Sequence, residues 1–127
     1  MGEVLGVAEV KHLRFSVDGK PVVVVHFVLR RAVSPSEARE LANHVRRYIA
    51  ENVKPMPNEL VVLSGRGPIW LYALTLHVLH GTTRYLGVYD PRIGIVVVAS
   101  HGWEEAWREG ELVPLDKIPD NVRIELA

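Results

Sequence analysis

Hydrophobic and polar residues alternate along residues 13–17, and a β-branched, mostly apolar run follows at residues 22–29. The pair Asp18 and Gly19 lies between them and is favoured in two-residue hairpin turns. The alternating segment predicts a half-exposed strand, and the continuous one predicts a central strand. The chain is therefore expected to begin its fold with a β-hairpin.

A helix is predicted directly after this hairpin. Ser34 is a candidate N-cap, Pro35 suits the first helical position, and Glu37 stands three residues after the cap, as in a capping box. Apolar residues then recur at helical spacing, at Ala38, Leu41, Ala42, Val45 and Ile49. Arginines occupy the remaining faces, and Pro55 and Pro57 are expected to end the helix.

Four further apolar segments complete the predicted order of elements. Residues 60–63 suit a short buried strand, and residues 69–79, apolar nearly all round, suit a buried helix that stops at Gly81. Residues 85–89 and 95–99 are two more expected strands. The order ββαβαββ predicts an α/β fold: a single compact domain with a mixed sheet and flanking helices, joined by a right-handed crossover between two parallel strands.

The composition is typical of a folded globular protein. The chain has 127 residues, 48% of them hydrophobic, and no cysteine, so a thiol nucleophile and a Cys-ligated metal are excluded. No apolar run reaches the roughly twenty residues that cross a bilayer, so no membrane association is expected. One domain over residues 1–127 is expected at this length. Because the start of the chain lacks the basic segment of a secretory signal, the cytoplasm is the predicted location.

Charge is divided unevenly along the chain although fifteen basic and fifteen acidic residues cancel. Residues 1–101 hold twelve basic and eight acidic residues, whereas residues 102–127 hold three and seven. The body is thus suited to an anionic ligand, with an ordinary solvated surface as the alternative. Trp103 and Trp107 in the acidic tail are expected to pack on the body, before a strand-like ending.

The turn from Ser64 to Pro68 is the first candidate for ligand binding. It follows a predicted strand and precedes a helix, an arrangement that directs backbone N–H groups and the positive end of the helix dipole at an anion. Arg66 would add a bidentate donor, so the expected ligand-binding set is Ser64, Gly65, Arg66 and Gly67. The alternative is a tight turn whose glycines only fit the backbone.

Asp90 and Arg92 form the second candidate. A carboxylate such as Asp90 can ligate a metal or accept a proton, and Arg92 can hold charge that develops on a phosphate. The alternative is an Asp-Pro turn that merely closes a hairpin between two strands.

Histidines form the third candidate. His77 and His80 are three residues apart and share a helical face, and His101 ends the last long strand. Imidazoles can bind a metal or act as general acid and base, although a structural role is the alternative for each of them. The remaining histidines adjoin no other polar group in the pattern and have no assigned role: His12, His26 and His44.

The predicted topology places these candidates at two edges of the sheet. The turn at residues 64–68, Asp90 and Arg92 should lie at the carboxyl-terminal edge of the parallel strands, where open α/β sheets bind ligands. His80 and His101 should lie at the opposite edge, roughly 20 Å away at about 3.3 Å per residue. Either the histidines are unrelated to the phosphate site, or a site is assembled between subunits stacked edge to edge.

Residues 63–101 resemble the small CRISPR-associated family called Csx-three, also named Crn-three. The resemblance rests on two turn sequences, the segment Ser-Gly-Arg-Gly-Pro-Ile-Trp-Leu from Ser64 and the segment Val-Tyr-Asp-Pro-Arg-Ile-Gly from Val88, together with the strand ending in His101. It implies a CARF-related fold and a ring nuclease of type III CRISPR antiviral defence. Such an enzyme binds cyclic tetra-adenylate and cleaves it to linear di-adenylate, which ends the signal.

The resemblance also implies two alternative functions and a set of residue roles. The alternatives are a manganese-dependent exonuclease that removes 3′ adenylates from single-stranded RNA, and a sensor that binds cyclic oligoadenylate without cutting it. His80, Asp90 and Arg92 would be catalytic, with His77 as the other choice for the helix histidine. Asp90 and His101 would ligate Mn²⁺, the implied cofactor. Homodimers would assemble into a tetramer or stacked filament around the ring.

Overall fold

A computed structural model describes residues 3–4, 6–102 and 106–127, with only the backbone at residues 3–4. Within these ranges one mixed sheet contains β1 (Glu3–Val4), β2 (Ala8–Val17), β3 (Lys20–Leu29), β4 (Leu60–Gly65), β5 (Tyr85–Asp90), β6 (Gly94–Ser100) and β7 (Leu112–Pro114). The helical elements are α1 (Pro35–Tyr48), a π-helical turn (Ile49–Val53), α2 (Ile69–His80), a 3₁₀ turn (Leu115–Lys117) and α3 (Asp120–Leu126).

The strands lie in the sheet in the order in which they follow one another in the chain. β3, β4 and β5 are parallel, and the strands on either side of this group pair antiparallel. The hairpin is confirmed, because Asp18 and Gly19 both have positive φ and align Val17 with Lys20. The pairing of Leu63 with Val88 confirms the predicted parallel strands, and the chain is a single α/β domain as expected.

α1 begins at the predicted capping box. The Glu37 amide donates to Ser34 Oγ at 3.4 Å, and the Ser34 amide donates to Glu37 Oε1 at 3.0 Å. Hydrogen bonding to Arg31 lowers the pKa of the Glu37 carboxyl group to about 2. After Tyr48 the helix widens into the π-helical turn, which ends at Lys54 in a left-handed conformation.

Each face of the sheet carries its own hydrophobic core. α1 and α2 cover one face, over Val25, Phe27, Leu63 and other inward residues. The tail covers the other face, where Trp107 is fully buried and its Nε1 donates to the Asn58 carbonyl at 3.0 Å. The predicted packing of the tail is therefore confirmed for Trp107, whereas Trp103 lies outside the described residues.

Two expectations about individual elements are corrected by the structure. The strand-like ending of the tail is present as β7, but α3 follows it, because Val122 and Leu126 are spaced four apart and bury one helical face against the sheet. α2 is not buried on all sides: it buries Leu71 and Leu79, but Ile69 is 85% exposed and Trp70, expected in the core, is 39% exposed. No helix in the described ranges is long and apolar enough to cross a membrane.

Candidate functional site

The turn after β4 has a backbone that requires glycine. Gly65 has φ +146°, and a Cβ atom there would lie 2.5 Å from the Phe27 carbonyl oxygen and 2.8 Å from the Phe27 ring. The Tyr72 hydroxyl donates to the Gly65 carbonyl and ties the turn to α2. Because burial raises the pKa of Tyr72 to about 12, this hydroxyl keeps its proton at neutral pH. Packing against Phe27 and the hydrogen bond from Tyr72 thus hold the turn in one conformation.

The start of α2 lies next to this turn and is open to an anion. Pro68 is the N-cap and supplies no side-chain acceptor to the first helical amides, although its carbonyl accepts from the Leu71 amide at 3.0 Å. Arg66 is exposed beside it. Helix N-termini attract anions through their amides and dipole, and the phosphate site at this turn stays a prediction.

Ser64 is buried, contrary to the expected contact between its side chain and a ligand. It is 1% exposed, and its Oγ is hydrogen-bonded to His26 Nδ1 at 2.9 Å. The two residues are register partners on the parallel strands β3 and β4. Burial, followed by the charge of Lys11, lowers the pKa of His26 and favours the neutral ring. In this conformation the buried Ser64 side chain binds His26 and stabilises the start of the turn.

A cavity of about 280 Å³ lies beside the buried pair, at the carboxyl-terminal edge of the sheet. Its walls are the end of β3 from His26 to Leu29, the side chain of Arg66, and the end of the chain at Leu126 and Ala127. Sequence reasoning assigned no role to His26. The signal was a polar residue in a valine-rich strand, but its partner could be recognised only from the register of β3 on β4.

Asp90 and Arg92 form a tight ion pair at the same edge of the sheet. Asp90 Oδ1 accepts from the Arg92 amide at 2.9 Å and from Arg92 Nε at 3.1 Å, and Oδ2 accepts from its NH2 group at 3.0 Å. These bonds lower the pKa of Asp90. The Ile93 amide also donates to the Asp90 carbonyl at 3.1 Å. The predicted alternative, a turn that closes the hairpin between β5 and β6, is therefore also formed. The guanidinium of Arg92 remains 85% exposed.

His80 and His101 meet at the opposite edge. Their Nε2 atoms are 2.6 Å apart, and their rings are nearly perpendicular, with centroids 4.5 Å apart. Such a contact requires one protonated and one bare nitrogen. The His101 amide donates to the Arg84 carbonyl at 2.8 Å, which fixes the histidine to the start of β5. The geometry therefore selects His80 rather than His77 as the partner of His101.

The two pairs are separated by the length of β5 and β6. Gly94 lies opposite Asp90, and Ser100 lies opposite Tyr85, so Asp90 and His101 stand at opposite ends of the same hairpin. One chain therefore does not bring the two predicted metal ligands together. Among residues 3–4, 6–102 and 106–127 there is no cluster of three or more His, Asp or Glu side chains that could hold a metal ion.

A family model described as CRISPR-associated protein (Cas_csx3) matches residues 48–114, which is more than half of the chain. The chain belongs to this family. The match confirms the resemblance to Csx-three and with it a CRISPR-associated function. It contains Arg66, both members of the Asp90–Arg92 pair and both histidines of the close contact, whereas α3 lies beyond it.

A curated relative is also similar to this Csx-three protein. It is a protein of Aquifex aeolicus (strain VF5), described as uncharacterized, and it is 40% identical over 81 residues. The aligned part covers 61% of this chain and 66% of the relative, just under two thirds of its length.

Proposed function

We propose that the protein is a ring nuclease, which binds cyclic tetra-adenylate and cleaves it to linear di-adenylate between two stacked dimers. The observation that carries this proposal is the separation of Asp90–Arg92 from His80–His101 by the whole height of the sheet. Arg92 and both histidines are exposed at their own edges, and each pair would be half of a phosphodiesterase site. Stacking the carboxyl-terminal edge of one dimer on the amino-terminal edge of another would complete the site.

Ligand binding would take place mainly at the carboxyl-terminal edge. Arg66 and the open N-terminus of α2 offer donors for phosphate oxygens, and Arg92 extends the positive surface along the same edge. The cavity beside Arg66 offers room for part of a nucleotide. A two-fold dimer would present two such half-sites to a ring of compatible symmetry, so two opposite cuts would result.

The exposed face of α2 supports dimer formation. Ile69 and Trp70 are large apolar side chains at the start of the helix, and both are exposed in the single chain. Exposed apolar surface of this kind is typical of protein interfaces. A second copy packed there would place the two ligand-binding turns of the dimer near each other, because each turn leads directly into α2.

Proton transfer would be performed by the histidine pair. One Nε2 atom in the contact between His80 and His101 is bare and the other carries hydrogen. The bare nitrogen can accept the proton of the attacking oxygen, and the other histidine can give a proton to the leaving oxygen as the phosphorus–oxygen bond breaks. A single pair thus supplies both a general base and a general acid.

Asp90 would position Arg92 rather than accept a proton. Hydrogen bonding to Arg92 lowers the pKa of the carboxyl group, so Asp90 is ionised and a weak base at neutral pH. Its two oxygens accept two hydrogen bonds from the guanidinium, and Oδ1 also accepts from the Arg92 backbone amide. Arg92 is then preorganised to stabilise the negative charge that develops on the phosphate during cleavage.

Manganese fits this arrangement only when two chains contribute. His80 and His101 of one chain and Asp90 of another would supply two imidazole nitrogens and a carboxylate, which divalent transition metals accept. An ion held there would supply Lewis-acid polarisation of the phosphate. With the ion bound, Asp90 would exchange its bond to Arg92 for the ion, and the two imidazole nitrogens would be metal ligands instead of general base and acid.

A subunit-mixing experiment tests the composite site. Asp90→Ala and His101→Ala proteins are each expected to leave radiolabelled cyclic tetra-adenylate almost intact, with and without Mn²⁺. When the two are mixed, the Asp90 edge of one variant can stack on the histidine edge of the other, so a substantial fraction of cleavage should return. A mixture of His80→Ala and His101→Ala is the matched control, because both variants damage the same edge and no intact site can form.

Other outcomes separate the competing functions. If the wild-type protein leaves the ring intact after long incubation but is stabilised by it against heating, the protein is a sensor and the proposal is wrong. If it removes 3′ adenylates from single-stranded RNA and leaves the ring intact, it is the exonuclease. Cleavage at an unchanged specific rate on dilution through the assembly range would contradict stacking.

A further inference from the structure

A cavity of about 450 Å³ lies at the amino-terminal edge of the parallel strands and has no part in the site proposed above. We refer to it as the arginine pocket. One wall is formed by the end of α1 and the π-helical turn, the floor by residues 55–59, and the other wall by residues 82–84. Its volume falls within the range of small-molecule sites, roughly 300–1,000 Å³.

Three guanidinium groups make the arginine pocket positive. Arg46, Arg47 and Arg84 line it, and none of them forms an ion pair with a carboxylate in the described part of the chain. The carboxylate of Glu59 also borders the pocket, but Glu59 is buried and its Oε2 accepts from Arg14 Nε at 3.1 Å. The uncompensated charge therefore comes from the arginines, which bind phosphate through paired N–H donors.

Five apolar residues line the pocket beside the arginines, whereas Thr82 and Thr83 add hydroxyl groups on the wall that carries Arg84. Ile49 and Ala50 come from the π-helical turn, and Pro55, Met56 and Pro57 come from the segment that follows it. Met56 is 49% exposed, although methionine is a side chain that usually packs in the interior. An apolar floor beside several guanidinium groups suits a flat, apolar ring that carries a phosphate, which is the chemistry of a nucleotide.

The backbone at the arginine pocket is also irregular. The π-helical turn from Ile49 to Val53 ends α1, and Lys54 follows with φ +49°. Such turns are rare, cost stability and are frequently found at functional sites. Here the turn supplies two of the residues that line the pocket, so a binding role gives a physical reason for its presence.

We propose that the arginine pocket binds a purine mononucleotide unit, with the phosphate on Arg46 and Arg84 and the base against Ala50 and Met56. The unit can be a free nucleotide or the terminal nucleotide of a linear oligoadenylate. Residues 82–84 connect the pocket to the histidine pair, since the Arg84 carbonyl accepts from the His101 amide. An occupant would thus contact the segment that positions His101.

Calorimetric titration with adenosine monophosphate tests the pocket, and adenosine and inorganic phosphate are titrated in parallel. The nucleotide is expected to bind at least tenfold more tightly than either fragment, because only it fills both parts of the pocket. Arg46→Ala and Arg84→Ala should each weaken nucleotide binding about tenfold or more, as expected for loss of a charge-assisted hydrogen bond. Ala50→Trp should block binding while leaving every charge in place.

A matched variant locates the binding. Arg39→Ala removes an exposed arginine from the same helix, outside the pocket. It should bind the nucleotide within twofold of the wild type. The pocket proposal is overturned if Arg39→Ala weakens binding as much as Arg46→Ala and Arg84→Ala do, if those two variants leave binding unchanged, or if no binding occurs at millimolar nucleotide.

Linear di-adenylate distinguishes the two sources of the nucleotide. Binding at least tenfold tighter than that of the mononucleotide, and lost in Arg84→Ala, would identify the end of a linear oligonucleotide as the occupant. Equal or weaker binding would identify a free mononucleotide. Because the mononucleotide is not a ring, these titrations test the pocket whether or not ring cleavage is confirmed.

Discussion

The two edges of the parallel strands are built in different ways. At the carboxyl-terminal edge, Asp90 and Arg92 are two residues apart and form an ion pair, and the turn proposed to bind the ligand is a continuous segment. At the amino-terminal edge, His80 meets His101 from 21 residues away, and Arg46 of α1 shares a pocket with Arg84, which precedes β5. The candidate groups at the carboxyl-terminal edge thus come from residues close in sequence. Those at the amino-terminal edge come together only when the sheet is assembled. The proposed reaction needs both.

The largest expected effect is on the histidine edge. His101→Ala should reduce cleavage of cyclic tetra-adenylate by about 10²- to 10⁴-fold, the usual contribution of general acid and base catalysis. Ring binding, measured by filter binding, should change little. His77→Ala is the control, because His77 lies on α2 but outside the contact, and it should cleave normally. Equal cleavage by His101→Ala and the wild type would remove the histidine edge from the mechanism.

Asp90→Ala should have the next largest effect, at the opposite edge. Loss of the carboxylate frees the Arg92 guanidinium from its fixed position, so the rate of cleavage should fall about 10²-fold. The affinity for the ring should be retained, because Asp90 itself is an anion. Single-turnover cleavage and equilibrium binding, measured on the same preparation, separate these quantities. If binding is lost as well, Asp90 holds the ligand instead.

Gly65→Ala should destabilise the carboxyl-terminal edge by roughly 2 kcal/mol or more. The added Cβ would lie 2.5 Å from the Phe27 carbonyl oxygen, and φ +146° is strained for alanine. Chemical denaturation measures the free energy of unfolding. Gly81→Ala serves as the comparison, since it has ordinary φ and nothing within 4 Å of the new atom. Its stability should be within about 1 kcal/mol of the wild type.

The smallest expected effect is the pH dependence that comes from His26. Burial lowers the pKa of His26 in the folded protein below its ordinary value of 6.5. The unfolded chain therefore binds protons first as the pH falls, and stability should decline from about pH 6.5 downward, through the folded pKa. His26→Gln should flatten this decline in the melting temperature, although His12, whose pKa burial also lowers, still contributes.

His77→Gln is the control for this measurement, because it removes an exposed histidine from α2. It should show the wild-type decline in melting temperature with falling pH. The same decline in His26→Gln as in the wild type would show that the buried pair with Ser64 does not govern acid stability.

Local patterns allowed much of the fold and part of the candidate site to be predicted. The Asp18–Gly19 turn and the Ser34 capping box depend on residues within four positions of one another, and both formed as expected. The parallel strands followed from the length of the crossover helix. The separation of Asp90 from His101 followed in turn from that topology, so the placement of the candidate residues at two edges was predicted from the sequence.

Other features could not be predicted because they depend on register and on neighbours distant in sequence. His26 became part of the candidate site only through its alignment with Ser64. The exposure of Trp70 depends on which sides of α2 are covered, and apolar content does not reveal this. The arginine pocket joins Arg46 to Arg84, which no short pattern connects.

The sequence by itself therefore determined the local elements and the edge at which each candidate residue lies. Turn geometry, capping and hydrophobic periodicity act over a few residues, and their physical causes are present in the sequence of each segment. Only the tertiary structure decided which side chains meet. The contact of His80 with His101 and the burial of Ser64 are set by strand register and helix packing, and these are fixed by the whole core at once.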